Sequence, residues 1–390
     1  MEQMTVPLLD LKPQFAPLKA EIMAAIEGVC DSQMFILGPN VTALEKACAE
    51  YCQSAHGIGV SSGTDALLLA LMALDIGPEH EVITSPYTFF ATGGTVARVG
   101  ARPLFVDIDP VTFNLSPAAV QAFIDKHCER AHGELVNRQT GGIIKAIMPV
   151  HLYGQISDMA PLLEIARRYG LKVIEDAAQA IGAEYLHGKR AGSLGDVGCL
   201  SFFPTKNLGA FGDAGLCTAQ DGDLAERLRV MRVHGGKPKY YHSMIGGNFR
   251  IDELQAAVLN IKLRHLDNWT RARQKNAQFY ERAFTAAGLA GKVRIPQAQA
   301  GYRHVWNQYI VRVPRRDELR QFLAENGVGT EIYYPVPLHL QGCFAYLGYK
   351  VGDCPESERA ANETLALPIF SELQEEQLAY VVACISAFYS

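Results

Sequence analysis

A chain of 390 residues is too long for one small core and suits a large domain joined to a smaller one. Hydrophobic residues make up 48% and charged residues 20%, the balance of a folded globular protein, which excludes long disorder. A net charge of −5 without blocks of like sign argues against a nucleic acid or a membrane surface as partner and for a small molecule.

No apolar run reaches the length that spans a bilayer, and Met1 to Leu9 lacks a leader's basic and apolar regions, so a cytoplasmic location is expected. The nine cysteines show no zinc spacing; Cys48 and Cys52, four apart on an expected helix, have no partner set. They are expected to be buried reduced thiols, and no metal is expected.

Between about residues 40 and 235, helical periodicity alternates with short apolar runs, the βαβ pattern of a mainly parallel sheet. Asn40 is the expected cap of a helix bearing Val41, Leu44, Cys48 and Tyr51. Strands are predicted over 57–60, 81–84, 103–107, 143–150, 172–175, 197–203 and 216–218. A helix is predicted over 65–74, another opens at Ser116-Pro117, and Asp158 and Gly170 bracket a third. Lys126 to Gly142 is polar and reads as a surface insertion without legible chemistry. After the helical stretch 251–287 come strand-like pieces at 308–313 and 329–334 and helices at 316–326 and 372–388. The expectation is a large α/β domain over 1–261 and a small α+β domain over 262–390.

Ligands of such sheets sit beyond the carboxyl ends of the strands. Three segments there carry chemistry. Ser61-Ser62-Gly63-Thr64-Asp65 runs from strand to helix, either as a plain structural turn or as a phosphate cradle of backbone N–H groups at a helix N-terminus. Asp176 ends a strand, as a helix cap or as an acid facing a ligand; on a helix, Gln179 would return to its face. In Phe202-Phe203-Pro204-Thr205-Lys206-Asn207-Leu208-Gly209 a single lysine stands among apolar and small residues. It is either a turn lysine or a desolvated amine able to form an imine with an aldehyde. Together they meet the needs of pyridoxal 5′-phosphate, whose phosphate, ring nitrogen and aldehyde each require a partner.

The ordered blocks Ser62-Gly63-Thr64-Asp65-Ala66-Leu67, Tyr87-Thr88-Phe89, Val150-His151-Leu152-Tyr153-Gly154, Glu175-Asp176-Ala177-Ala178-Gln179, Ser201-Phe202-Phe203-Pro204-Thr205-Lys206 and Gly247-Asn248-Phe249-Arg250-Ile251-Asp252 make the chain resemble the DegT/DnrJ/EryC1/StrS family of nucleotide-sugar aminotransferases. The likeness runs from Leu9 to Pro368. It implies an aspartate-aminotransferase-like architecture, pyridoxal phosphate fold type I, and a pyridoxal phosphate aldimine on Lys206, which then shuttles a proton. It further implies that Asp176 pairs with the ring nitrogen, that Gln179 meets the phenolic oxygen, and that Gly63, Thr64 and Ser201 hold the phosphate. Phe89 would lie against the ring, though a core aromatic is its ordinary reading.

Asn248 would reach the phosphate of a neighbouring subunit, which implies a homodimer with a shared site. Arg250, Tyr333, Tyr334 and His339 fall where the family places sugar-facing residues, and His234 to His242 is either a solvated loop or a seat for a pyrophosphate and a base. Relatives acting on uronic acid sugars carry His where this chain has Tyr333, which departs from a uronate pattern. Lys206 itself implies the aminotransferase branch, since the family's dehydratases carry His there. The implied reaction turns a nucleotide-linked keto-sugar into an amino sugar, with L-glutamate as donor, in two half-reactions. Competing readings are another pyridoxal reaction, such as an amino-acid lyase or desulfurase, and a non-catalytic regulatory protein that kept the fold.

Overall fold

The computed structural model describes residues 4–390. Seven strands form the body of one large sheet, in the order His56–Val60, Gly215–Ala219, Val197–Ser201, Lys172–Asp176, Ile143–Met148, His80–Thr84, Arg102–Phe105. Only Gly215–Ala219 runs antiparallel to its two neighbours. From Val197–Ser201 to Arg102–Phe105 every pairing along that order is parallel.

Successive strand residues enter opposite cores. Ile83, Ile147, Val173, Leu200 and Leu216 pack on one face, and Val82, Met148, Ile174, Cys199 and Cys217 on the other. That is why the strands read as unbroken apolar runs: a parallel sheet is covered by helices on both sides. Helices Pro39–Cys52, Pro117–His127 and Met159–Tyr169 cover the first face; Gly63–Ala73, Phe90–Arg98 and Gly222–Met231 cover the second.

A third core gathers the antiparallel pair Tyr309–Arg312 and Thr364–Leu367 with helices Arg316–Glu325 and Glu375–Tyr389. It also takes Val6 from the other end of the chain, through Val6 N–H to Gly327 O and Gly329 N–H to Val6 O, both 2.8 Å. Helix Leu266–Ala286 ties this core to the first face of the large sheet, with Leu266 in the core of that face and Tyr280 and Phe284 in this one.

Several expectations change locally. The cap of helix Pro39–Cys52 is Gly38, and Asn40 lies in the first turn, because the buried Glu253 carboxylate takes the Asn40 and Val41 N–H groups instead. The segment 126–142 is a hairpin, Cys128–Ala131 with Glu134–Asn137, whose second strand extends the sheet beside Ile143–Met148. Residues 329–334 form no strand, only a bridge between Glu331 and Ala366. Ser116 does cap its helix, accepting from Ala119 N–H, and Gly170 ends the next one at φ 73°. All nine cysteines are free thiols, but Cys30 and Cys343 are exposed rather than buried.

Candidate active site

The parallel strands share one carboxyl edge, and the chemistry-bearing residues leave the sheet there. Strand His56–Val60 delivers Ser61 to Thr64, strand Lys172–Asp176 ends on Asp176, and strand Val197–Ser201 ends on Ser201 and leads to Lys206. Strand His80–Thr84 leads to Tyr87, Phe89 and Thr92.

Ser62 caps helix Gly63–Ala73, its hydroxyl accepting from Asp65 N–H at 3.0 Å. The N–H groups of Gly63 and Thr64 have no acceptor within the helix, as at every helix start, and the dipole there favours an anion. A Cβ added to Gly63 would stand 2.6 Å from the Ser201 Cβ and 3.0 Å from its Oγ. Only glycine therefore lets the Ser201 hydroxyl approach this turn so closely.

Asp176 is buried, and desolvation pushes its carboxyl above the ordinary range; hydrogen bonds from Thr92 and Ala178 and the Lys206 charge oppose that. No helix follows it. The chain turns instead, with Ala180 N–H on Ala177 O at 3.0 Å, so the expected helical return to Gln179 does not hold and the turn itself positions that residue. Gln179 Oε1 accepts from Tyr153 N–H at 2.6 Å while its Nε2 donates to the Tyr334 hydroxyl at 3.0 Å, and the donor-only Tyr153 N–H fixes which end of the amide is the oxygen.

Burial lowers the Lys206 amine from 10.5 to about 8, with Asp176 pulling it back up. Its Nζ makes no hydrogen bond or ion pair within the described residues. Lys206 and Tyr333 share the wall of a cavity of about 150 Å³. Phe89 is 57% exposed, which removes the core reading, and its ring lies 6.2 Å from that of Tyr334.

Arg250 stands beside the Ser61 to Thr64 turn, bridged to Val60, with its buried Nε unpartnered among the described residues. Asn248 is bridged to Val233 and exposed. His339 turns inward onto Glu358, 3.1 Å away, and stacks edge-on to Tyr349. The loop at 234–242 exposes Tyr240 and Tyr241.

Two buried groups had no role in the sequence reading. His151 Nδ1 accepts from Ser157 N–H at 3.2 Å, so the neutral ring carries its proton on Nε2 and donates it to Glu175 at 2.8 Å. Thr92 donates to Asp176. Their signal lay in the chain neighbours, Glu175 beside Asp176, and Thr88 four residues before Thr92.

Residues 17–386 match the DegT/DnrJ/EryC1/StrS aminotransferase family. The chain belongs to that family. It is 52% identical to the "Pleiotropic regulatory protein" of Geobacillus stearothermophilus, over 99% of each chain. It is 42% identical to the UDP-N-acetyl-3-dehydro-alpha-D-glucosamine 3-aminotransferase of Acidithiobacillus ferrooxidans, over 97% of each. The structure of S. venezuelae DesV, solved in complex with a ketimine intermediate, is similar at a TM-score of 0.90 and 40% identity, over 98% of each chain.

The aminotransferase has the fold type I architecture, and its cofactor is pyridoxal phosphate. Its own residues fit that group on three counts. Among the described residues the desolvated Lys206 amine makes no hydrogen bond or ion pair, the buried Asp176 takes its hydrogen bonds from the neutral donors Thr92 and Ala178, and an unblocked helix start is floored by Gly63 and Ser201.

Proposed function

We propose that this aminotransferase transfers an amino group from L-glutamate to a nucleotide-linked keto-sugar, in two half-reactions that give ping-pong kinetics. The observation that carries the reading is the meeting of Asp176, Lys206 and Gln179 at the edge where the Gly63–Ser201 turn also lies. The Acidithiobacillus relative, named for a 3-dehydro sugar on UDP, supports a keto-sugar at carbon 3.

Pyridoxal phosphate supplies an aldehyde to capture the amine and a ring to withdraw electrons from the carbon that loses its proton. Lys206 Nζ, partly neutral near pH 8, would anchor the cofactor and then carry that proton. Asp176 would hold the ring nitrogen protonated, and Gln179, its oxygen already engaged by Tyr153 N–H, has only N–H to offer the phenolic oxygen. The Gly63 and Thr64 N–H groups and the Ser201 hydroxyl would bind the phosphate. Phe89 would face the ring, and Arg250, Tyr333, Tyr334 and the exposed 234–242 loop would line the nucleotide-sugar side, whereas His339 is buried against Glu358 and Tyr349 rather than open to a sugar.

Asn248 would complete the phosphate site of a second subunit. The exposed run Met34, Phe35, Ile36 and Leu37, 37–49% accessible, is the apolar surface such a homodimer would cover.

A regulatory reading rests on the names of relatives, such as that of the Geobacillus protein. A desulfurase reading needs an activated thiol, whereas burial pushes Cys48, Cys52 and Cys199 upward. One experiment separates these: UDP-, dTDP- and GDP-linked keto-sugars supplied with glutamate, read as 2-oxoglutarate release. Release that depends on a keto-sugar and disappears in Lys206→Ala is expected; no release with any sugar would reject the proposal.

A further inference from the structure

Asp176 is gripped by more than the end of its strand. Its Oδ2 accepts a 2.7 Å hydrogen bond from Oγ1 of Thr92, and its Oδ1 a longer one, 3.2 Å, from Ala178 N–H. Thr92 is 1% exposed and Thr88 3%, and their hydroxyls are 3.0 Å apart.

The direction of the hydrogens follows from the chemistry of the groups. An ionised carboxylate has no proton to donate, so Thr92 donates to Asp176. A threonine hydroxyl holds one hydrogen, so Thr92 must accept from Thr88. The pair is thereby polarised toward the acid, Thr88 to Thr92 to Asp176. A helical threonine without such a task bonds its own backbone, as Thr95 does to Ala91 O at 2.9 Å. Thr92, one turn earlier in helix Phe90–Arg98, instead aims its hydroxyl across the sheet edge.

We propose that Thr92, backed by Thr88, is a positioning residue that keeps Asp176 ionised and turned toward the ring nitrogen of pyridoxal phosphate; this rests on the reading of Asp176 as the partner of that nitrogen. Two bonds arriving on different oxygens fix the plane of the carboxyl group. They also oppose its burial, which otherwise favours the neutral acid, and the Thr92 bond is the foremost of the opposing effects. The other titratable groups facing Asp176 are Lys206 and His151, which favour the carboxylate when protonated, and Tyr334 and Cys199, whose own ionisation Asp176 resists. Glu175, its chain neighbour, is engaged by His151 and by the Gly192, Leu194 and Gly195 N–H groups.

The test titrates apoprotein with pyridoxal phosphate across acidic to neutral pH, reading the dissociation constant from the absorbance of the bound cofactor. Wild type is compared with Thr92→Val, Thr92→Ser, Thr88→Val and Asp176→Asn. A hydrogen bond to a charged group is worth enough for Thr92→Val to weaken binding about tenfold or more. Without its donor the carboxylate takes a proton sooner, so the loss of affinity on acidification should begin at higher pH. Thr92→Ser should restore both quantities, and Thr88→Val should move the midpoint the same way by less.

An unmoved midpoint in Thr92→Val, or failure of Thr92→Ser to restore it, overturns the proposal while a weakened Asp176→Asn leaves the reading of Asp176 standing. Unchanged binding in Asp176→Asn overturns both. Should Thr92→Val fold poorly, Thr88→Val decides, because it leaves the bond to Asp176 in place: an unmoved midpoint there also overturns the proposal.

Discussion

At pH 7 an ordinary lysine amine is protonated and cannot attack a carbonyl. Lys206 differs because burial removes water that would stabilise its charge, and Asp176 only partly offsets this, leaving it at about 8 rather than 10.5. The sign of the consequence is fixed: the neutral amine is scarce below about 8 and dominant above it. Capture of pyridoxal phosphate by the apoprotein should therefore accelerate as pH rises through about 8, followed by visible absorbance after rapid mixing. A rise centred near the ordinary lysine value would show that the amine is solvated. Loss of the positioned proton carrier in Lys206→Ala should lower turnover by about 10²–10⁴-fold.

The helices around the site depend on side chains far away in the chain. Helix Pro39–Cys52 begins at Gly38, which has no side chain to cap it, and Glu253 supplies the missing acceptor from the start of helix Glu253–Leu263. Its carboxylate takes the Asn40 side-chain amide at 2.8 Å and Val41 N–H at 3.1 Å, as well as Asn40 N–H. Removing it leaves donors unpaired where little water reaches. Glu253→Ala should cost about 2–3 kcal/mol of stability, measured by urea unfolding of the apoprotein. A loss within a few tenths of a kcal/mol would mean that water replaces the carboxylate.

Across the whole molecule, helix Leu266–Ala286 joins a core of the large sheet to the core around the Tyr309–Arg312 and Thr364–Leu367 pair, and no helix among the described residues is long and apolar enough to cross a membrane. The exposed apolar run at 34–37 and the exposed Asn248 are what the proposed homodimer would bury. Phe35→Asp places a charge in that run, and it should shift the protein from dimer to monomer in sedimentation and weaken cofactor retention with it. A Phe35→Asp protein that stays dimeric would locate the contact elsewhere.

The sequence alone determined the sheet and the three chemical segments. Apolar runs with turn residues between them admit few arrangements, and a lone lysine, an acid and a small-residue turn after strands have few joint uses. Tertiary structure decided everything that depends on contacts across many residues. The cap of helix Pro39–Cys52 moved off Asn40 because Glu253, over two hundred residues later, reaches its N–H groups. Gln179 meets the site through a turn and through Tyr153 and Tyr334 rather than along a helix. The Thr92 bond to Asp176 joins a helix to the end of a strand 84 residues later, a pairing that local periodicity cannot give. Hydrophobic pattern is a local property of a chain, whereas the partner of a buried polar group is set only when the strands have been ordered.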